Sequence, residues 1–179
     1  PKISFAGGNL PTTVAMRKAG ARIALATDNM HADITEVMRW ALGSARVQSG
    51  RITPDWTSES VFHMATLGAA KALGRENEIG SLKAGKKADV VLVDMRRAHL
   101  TPAFNPLGTL VHTGQGRDVA TVIVNGAIVV EDGRSTFLDE DVIRTEAAKA
   151  AHSLWSRVSG EAPGPALIAA LSRNDRLRA

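Results

Sequence analysis

Cysteine and tyrosine are both absent from this sequence, and tryptophan and phenylalanine number only three and four. Without cysteine there are no disulfides and no thiolate metal sites, which fits a reducing compartment, so a cytoplasmic protein is expected. So few aromatics leave no stacking platform for bases. The basic residues are scattered, and runs such as Lys86-Lys87 and Arg96-Arg97 are only two long. The formal charge of +4 is therefore read as solvation, and no nucleic acid partner is expected. No apolar run reaches membrane-spanning length and no signal-peptide pattern opens the sequence, so no membrane partner is expected either. The first residue is Pro and not Met, which points to a cut or processed piece of something longer.

What is present fits a soluble globular protein: 44% hydrophobic and 22% charged residues in a chain of 179, enough for one good core and a small satellite domain. The stretch A-R-I-A-L-A-T-D-N-M-H, residues 21–31, organises the rest. Its apolar run at 23–26 is short and does not alternate, as in a strand buried on both faces of a parallel sheet. The run ends at Thr27-Asp28-Asn29. A carboxylate at the carboxyl end of such a strand sits where α/β folds place their chemistry. The plainer reading is that Asp28 caps the helix that follows, and the spacing leaves both open.

Before that stretch, residues 3–6 read as a strand and 11–19 as a helix with Pro in its first turn and Gly20 closing it. The opening is thus a strand-helix-strand pattern of α/β type. Residues 33–47 carry Ile34, Val37, Met38, Ala41, Leu42 and Ala45 on one helical stripe, with Asp33 and Glu36 spaced as a capping box. A second helix is expected from Thr57 or Ser58 to about Leu73, apolar almost all round and hence largely buried, with His63 as a core histidine. After Gly80 the pattern changes. Residues 81–87 form a basic turn, 89–93 a strand, and Asn125-Gly126 joins two β-branched runs as a type I′ hairpin. Residues 139–158 form an amphipathic helix with acidic residues in its first turn. A short helix at 165–172 follows a Pro/Gly linker.

The five histidines are His31, His63, His99, His112 and His152, and no pair has the spacing of a helix or strand metal motif. H-E-x-x-H, H-x-H, G-x-S-x-G and a phosphate loop are all missing. His31, three residues after Asp28, either reaches the same cavity or lies on its rim. His99 and His112 are placed in or near the β part and its loops, and His152 on the surface. A catalytic metal takes about three protein ligands, so Asp28 alone does not make a site.

Four segments carry a family resemblance: G-A-R-I-A-L-A-T-D-N (20–29), M-A-T-L-G-A-A-K-A-L-G (64–74), I-G-S-L-K-A-G-K-K-A-D-V-V-L-V-D (79–94) and V-I-V-N-G-A-I-V-V-E-D-G (122–133). In this order they resemble the metal-dependent amidohydrolase superfamily, in the branch of cytosine/guanine deaminases, adenosylhomocysteine deaminases and triazine hydrolases. Ala26 departs from that pattern, where Gly often precedes Thr-Asp. The resemblance implies an α/β fold: the C-terminal portion of a (β/α)8 TIM barrel, with part of a small β-sandwich domain. Residues 1–78 would be the last strands and helices of the barrel, 79–135 part of the sandwich, and 136–179 a C-terminal helix and tail.

In the family, the residue matching Asp28 ligates the metal and takes a proton from the water that the metal activates, so Asp28 is implied to be both catalytic and metal-binding. Asn29 and His31 are candidate substrate contacts. The cofactor implied is one divalent metal, zinc or else iron, and its other ligands have no match in this chain. The implied partners are the missing N-terminal part of the barrel, a small heterocyclic substrate and a second copy in a homodimer. The activity implied for the complete protein is hydrolysis of an amino- or halo-substituted N-heterocycle, with this fragment inactive alone. The alternatives are a non-catalytic half-barrel module and an imidazolonepropionase- or dihydroorotase-like cyclic amidohydrolase.

Overall fold

The structure, a computed structural model, describes residues 10–28 and 32–159. The strand expected at 3–6, the helix expected at 165–172, and the candidates Asn29 and His31 lie outside the described residues. One compact unit ends at Gly133 and a second begins at Arg134.

The first unit opens with α1 (Thr13–Lys18), shorter than the sequence pattern suggests. Gly20 follows at φ 86°, a left-handed position that ends a helix at no steric cost to glycine. Helix α2 (Ile34–Ser49) is capped by Asp33, whose side chain accepts the Thr35 and Glu36 N–H groups, and Gly50 closes it at φ 63°. Of its stripe, Val37, Met38, Leu42 and Ala45 are buried and Ala41 is half-buried, while Ile34 in the first turn is exposed. Met38, Leu42 and Ala45 form the core of the unit with Trp56, Val61, Met64 and Val111, and Val14, Ile23, Leu25 and Leu107 pack against it.

Two expectations are corrected here. Residues 23–26 are not a strand. A strand exists only by its ladder, and the Leu25 N–H donates instead to the Met64 carbonyl (3.1 Å) at the end of a helix, while Ile23 and Leu25 still pack against the core. The single helix expected at 57–73 is two, α3 (Ser58–Ala65) and α4 (Leu67–Ala72), broken at Thr66 with φ −123° and ψ −104°. The Thr66 hydroxyl donates to the Phe62 carbonyl (2.8 Å), a local bond that competes with a continuous helix. Gly68 then folds closely onto α3, where an added Cβ would stand 2.7 Å from the His63 carbonyl oxygen. This helix pair is not buried all round, since His63, Phe62 and Leu73 are exposed. His63 is therefore no core histidine.

Strands β1 (Val90–Val93), β2 (Val119–Val124) and β3 (Ala127–Glu131) pair antiparallel in chain order. The turn between β2 and β3 has Asn125 at φ 50° and Gly126 at φ 85°, the two positive values that a type I′ hairpin needs. This turn is pinned to the segment before β1, because the Asn125 N–H donates to the Asp89 carboxylate (2.7 Å) and the Gly126 N–H to the Ala88 carbonyl (3.0 Å). The basic turn before it is closed by Lys86, whose ammonium donates to the carbonyls of Glu76 and Ile79 and to the Ser81 hydroxyl. The G-K-K-A-D signature thus has a structural explanation: Lys86 closes its own turn and Asp89 holds the hairpin.

Between β1 and β2 lies helix α5 (Pro106–Thr113), for which the sequence pattern named no helix. Asn105 caps it by accepting the Gly108 N–H, and Pro106 stands in its first turn. His112 is thus on a helix. The second unit holds a two-residue strand, β4 (Arg134–Ser135), and α6 (Glu140–Ser159). The Asp139 carboxylate accepts the Asp141 and Val142 N–H groups at the start of α6. Its stripe residues Ile143 and Leu154 are exposed. No helix among the described residues is long and apolar enough to cross a membrane.

Candidate functional site

Asp28 lies at the end of the segment whose Ile23 and Leu25 are packed on the core. It is exposed and has φ 57°. That left-handed conformation is uncommon outside glycine, Asp and Asn tolerate it best, and it is strained by about 1 kcal/mol or more. Asp28 is not the cap of α2, because Asp33 fills that role. Of the two readings that the spacing left open, the capping one is removed.

The N-terminus of α2, just downstream, is anchored by long-range bonds. One Asp33 oxygen accepts from the Thr35 N–H (2.9 Å) and hydroxyl (2.6 Å), and the other from the Gly116 N–H (2.8 Å), 83 residues away in sequence. The Thr35 hydroxyl also lies 3.1 Å from the Gly114 carbonyl, and Arg39 donates to the carbonyls of Val111 and Gly114. The loop after α5 is therefore clamped to the start of the helix that follows Asp28. Burial pushes the Asp33 carboxyl up, but the Thr35 hydroxyl and the N–H groups of Gly116, Glu36 and Thr35 together hold it below the ordinary carboxylate range.

The other end of this loop carries a fully buried carboxylate, Asp118. One of its oxygens lies 2.9 Å from His99 Nε2 and accepts the Gln115 N–H at 2.8 Å. The other has Arg97 Nε at 3.5 Å. Burial raises the Asp118 carboxyl, while His99, the Gln115 N–H and Arg97 outweigh this and hold it low. The sequence reading missed this cluster, since nothing local marks residues 19 apart as partners.

These two depressed carboxyls fix the sign of a pH effect. As pH falls, the unfolded chain takes up protons on these groups before the folded chain does. Their stabilising contribution is thus complete above about pH 5 and is lost as pH drops below about 4 through their folded values. The urea midpoint is expected to fall between pH 7 and pH 3, and less steeply in Asp33→Asn. A midpoint flat over that range would contradict the assignment.

Among the described residues, no three His, Asp or Glu side chains gather where they could hold a metal ion. His63, His99, His112 and His152 are dispersed over α3, the 3-10 turn Ala98–Leu100, α5 and α6. The described residues therefore do not by themselves fit a catalytic metal centre, which takes about three protein ligands.

The sequence profile of the amidohydrolase family matches residues 9–129. The chain is 38% identical over 161 residues to a 5'-deoxyadenosine deaminase of Methanosarcina barkeri, a match that covers 88% of this chain and 36% of that protein. It is 41% identical over 140 residues to a 5-methylthioadenosine/S-adenosylhomocysteine deaminase of Moorella thermoacetica, covering 76% and 33%. The chain thus spans about a third of the length of the curated relatives it matches. Among solved structures, a zinc-bound adenosine deaminase from Xanthomonas campestris superposes with a TM-score of 0.74 at 24% identity, covering 80% of this chain and 33% of that one. A zinc complex of atrazine chlorohydrolase from Arthrobacter aurescens gives 0.65 at 24% identity, covering 74% and 30%. These two likenesses show the fold: α/β, with helices and a small antiparallel sheet matching about a third of each larger structure.

Proposed function

The chain belongs to the amidohydrolase family, and from that premise we propose that it is the C-terminal part of a metal-dependent deaminase or related hydrolase of an N-heterocycle. The observation that carries this is Asp28: a carboxylate in a left-handed conformation, at the end of a core-packed segment, with the capping role next to it already filled by Asp33. Relatives at 38% and 41% identity are named as deaminases of adenosine-type compounds, which makes an amino-substituted purine nucleoside the first substrate class to test. Zinc is the metal to test first, since both solved neighbours above carry it.

In this reading residues 1–78 complete a TIM barrel and 79–135 contribute to a sandwich domain, with 136–179 as helix and tail. The metal's remaining ligands lie in the part of the protein outside this chain, and the complete protein is a cytoplasmic homodimer. Asp28 acts at its carboxylate oxygen: it takes a proton from the attacking water and returns it to the leaving ammonia. Asn29 and His31 stand next to it in sequence as substrate contacts.

The test compares two proteins. The 179-residue chain alone is expected to release no ammonia from 5'-deoxyadenosine. The same chain joined to the preceding two-thirds of the protein is expected to release it, and to purify with about one zinc per chain. Full turnover by the 179-residue chain alone would overturn the reading.

A further inference from the structure

A cavity lies at the C-terminal ends of α1 and α2, and no step proposed for Asp28 uses it. It has a volume of about 660 Å³, within the range of small-molecule sites. Since α2 has 16 residues, this end stands about 24 Å along the helix from the Asp33 cap. The lining includes three cations, Arg17, Lys18 and Arg51, and one carboxylate, Asp55. Arg17 and Lys18 fall in the last turn of α1, where cations suit the helix dipole. Arg51 adds a further positive charge beyond α2. Among the described residues neither Lys18 nor Arg51 has an ion-pair partner.

Arg17 is fixed in two ways. Its guanidinium stacks over Trp56, 5.3 Å from the ring centroid, and it donates to the Asp55 carbonyl through Nη1. Trp56 itself is only 2% exposed, so the platform under the guanidinium is part of the core. A guanidinium held this way keeps its other N–H groups available as a fork, the geometry that matches phosphate oxygens. The wall is braced as well: the Gln48 amide accepts the Val14 N–H (3.2 Å) and donates to the Pro11 carbonyl (2.9 Å), tying α1 to α2. Val14, Ile52 and Pro54 give the cavity an apolar side, and Ile52 is 75% exposed.

We propose that this cavity binds a small organic phosphate, with Arg17 as the fixed fork, Lys18 and Arg51 as the flexible cations, and the apolar side against the organic part. The proposal is independent of the hydrolase reading and is tested on the 179-residue chain. At constant ionic strength, calorimetric titration with phenyl phosphate is expected to saturate at one site with Kd below about 1 mM, and inorganic phosphate to bind more weakly. Arg51→Glu changes an exposed side chain and is expected to weaken phenyl phosphate about tenfold or more, with the circular dichroism spectrum and urea midpoint unchanged. Arg17→Lys keeps the charge, removes the fork and is expected to weaken it too. Three results would each overturn the proposal: no saturation, the same affinity in Arg51→Glu, or inorganic phosphate bound as tightly as phenyl phosphate.

Discussion

Asp118→Ala is expected to lower the stability of the chain by about 1 to 3 kcal/mol, read as a fall in urea midpoint at an unchanged m-value. The side chain is fully buried. Removing the carboxylate takes the acceptor from the half-buried Gln115 N–H (2.8 Å) and the partner from His99 Nε2 (2.9 Å), which belongs to an exposed residue and can turn to water. It also removes the counter-charge from Arg97 and leaves a void that the surrounding loop must fill. Asp118→Asn keeps the volume and one acceptor, so its effect should fall between those of wild type and alanine.

The damage should spread along the loop. Gly114 and Gly116 hold Thr35, Arg39 and Asp33 at the start of α2, so a loosened Asp118 should also speed amide exchange at Thr35 and Gly116. A loss under about 1 kcal/mol would mean that the cluster is not an anchor.

Asp28→Asn, made in the complete protein, is expected to reduce kcat by about a thousandfold, in the range for removing a proton-transferring carboxylate. Asparagine is the informative substitution for two reasons. It has the same shape, and it tolerates the left-handed φ of 57° almost as well as aspartate, so no new backbone strain is added. Asp28 is exposed and does not cap α2, and the urea midpoint is measured on the same samples. Loss of activity at constant stability would separate a chemical role from a structural one. Zinc content measured on the same samples then shows whether the carboxylate also holds the metal. Unchanged kcat would remove Asp28 from the site.

Much of the backbone was legible from single residues and short patterns. Asn125-Gly126 dictates its hairpin because both positions need positive φ, and they have it. The stripe from Val37 to Ala45 faces the core, Asp33 caps, and Gly20 and Gly50 terminate helices, because each of these outcomes depends on the residue and its near neighbours alone. Helix α5 has a local signal too, Asn105 as cap followed by Pro106 in its first turn, which the sequence reading did not use. The four family segments were likewise enough to name the family that residues 9–129 match.

What the tertiary structure decided has a common feature: each outcome requires a partner far away in the chain. Whether residues 23–26 become a strand depends on a ladder neighbour, and the Leu25 N–H goes to a helix end instead. The second oxygen of Asp33 meets Gly116, Asp118 meets His99, and Arg17 stacks on Trp56, pairings that no local pattern marks. Sequence alone set the local dihedral preferences, the caps and the apolar faces, because these are fixed within a turn or two of backbone. Only the folded chain decided which buried carboxylate has which donor, because a long-range pair forms only where the whole chain returns to the same place.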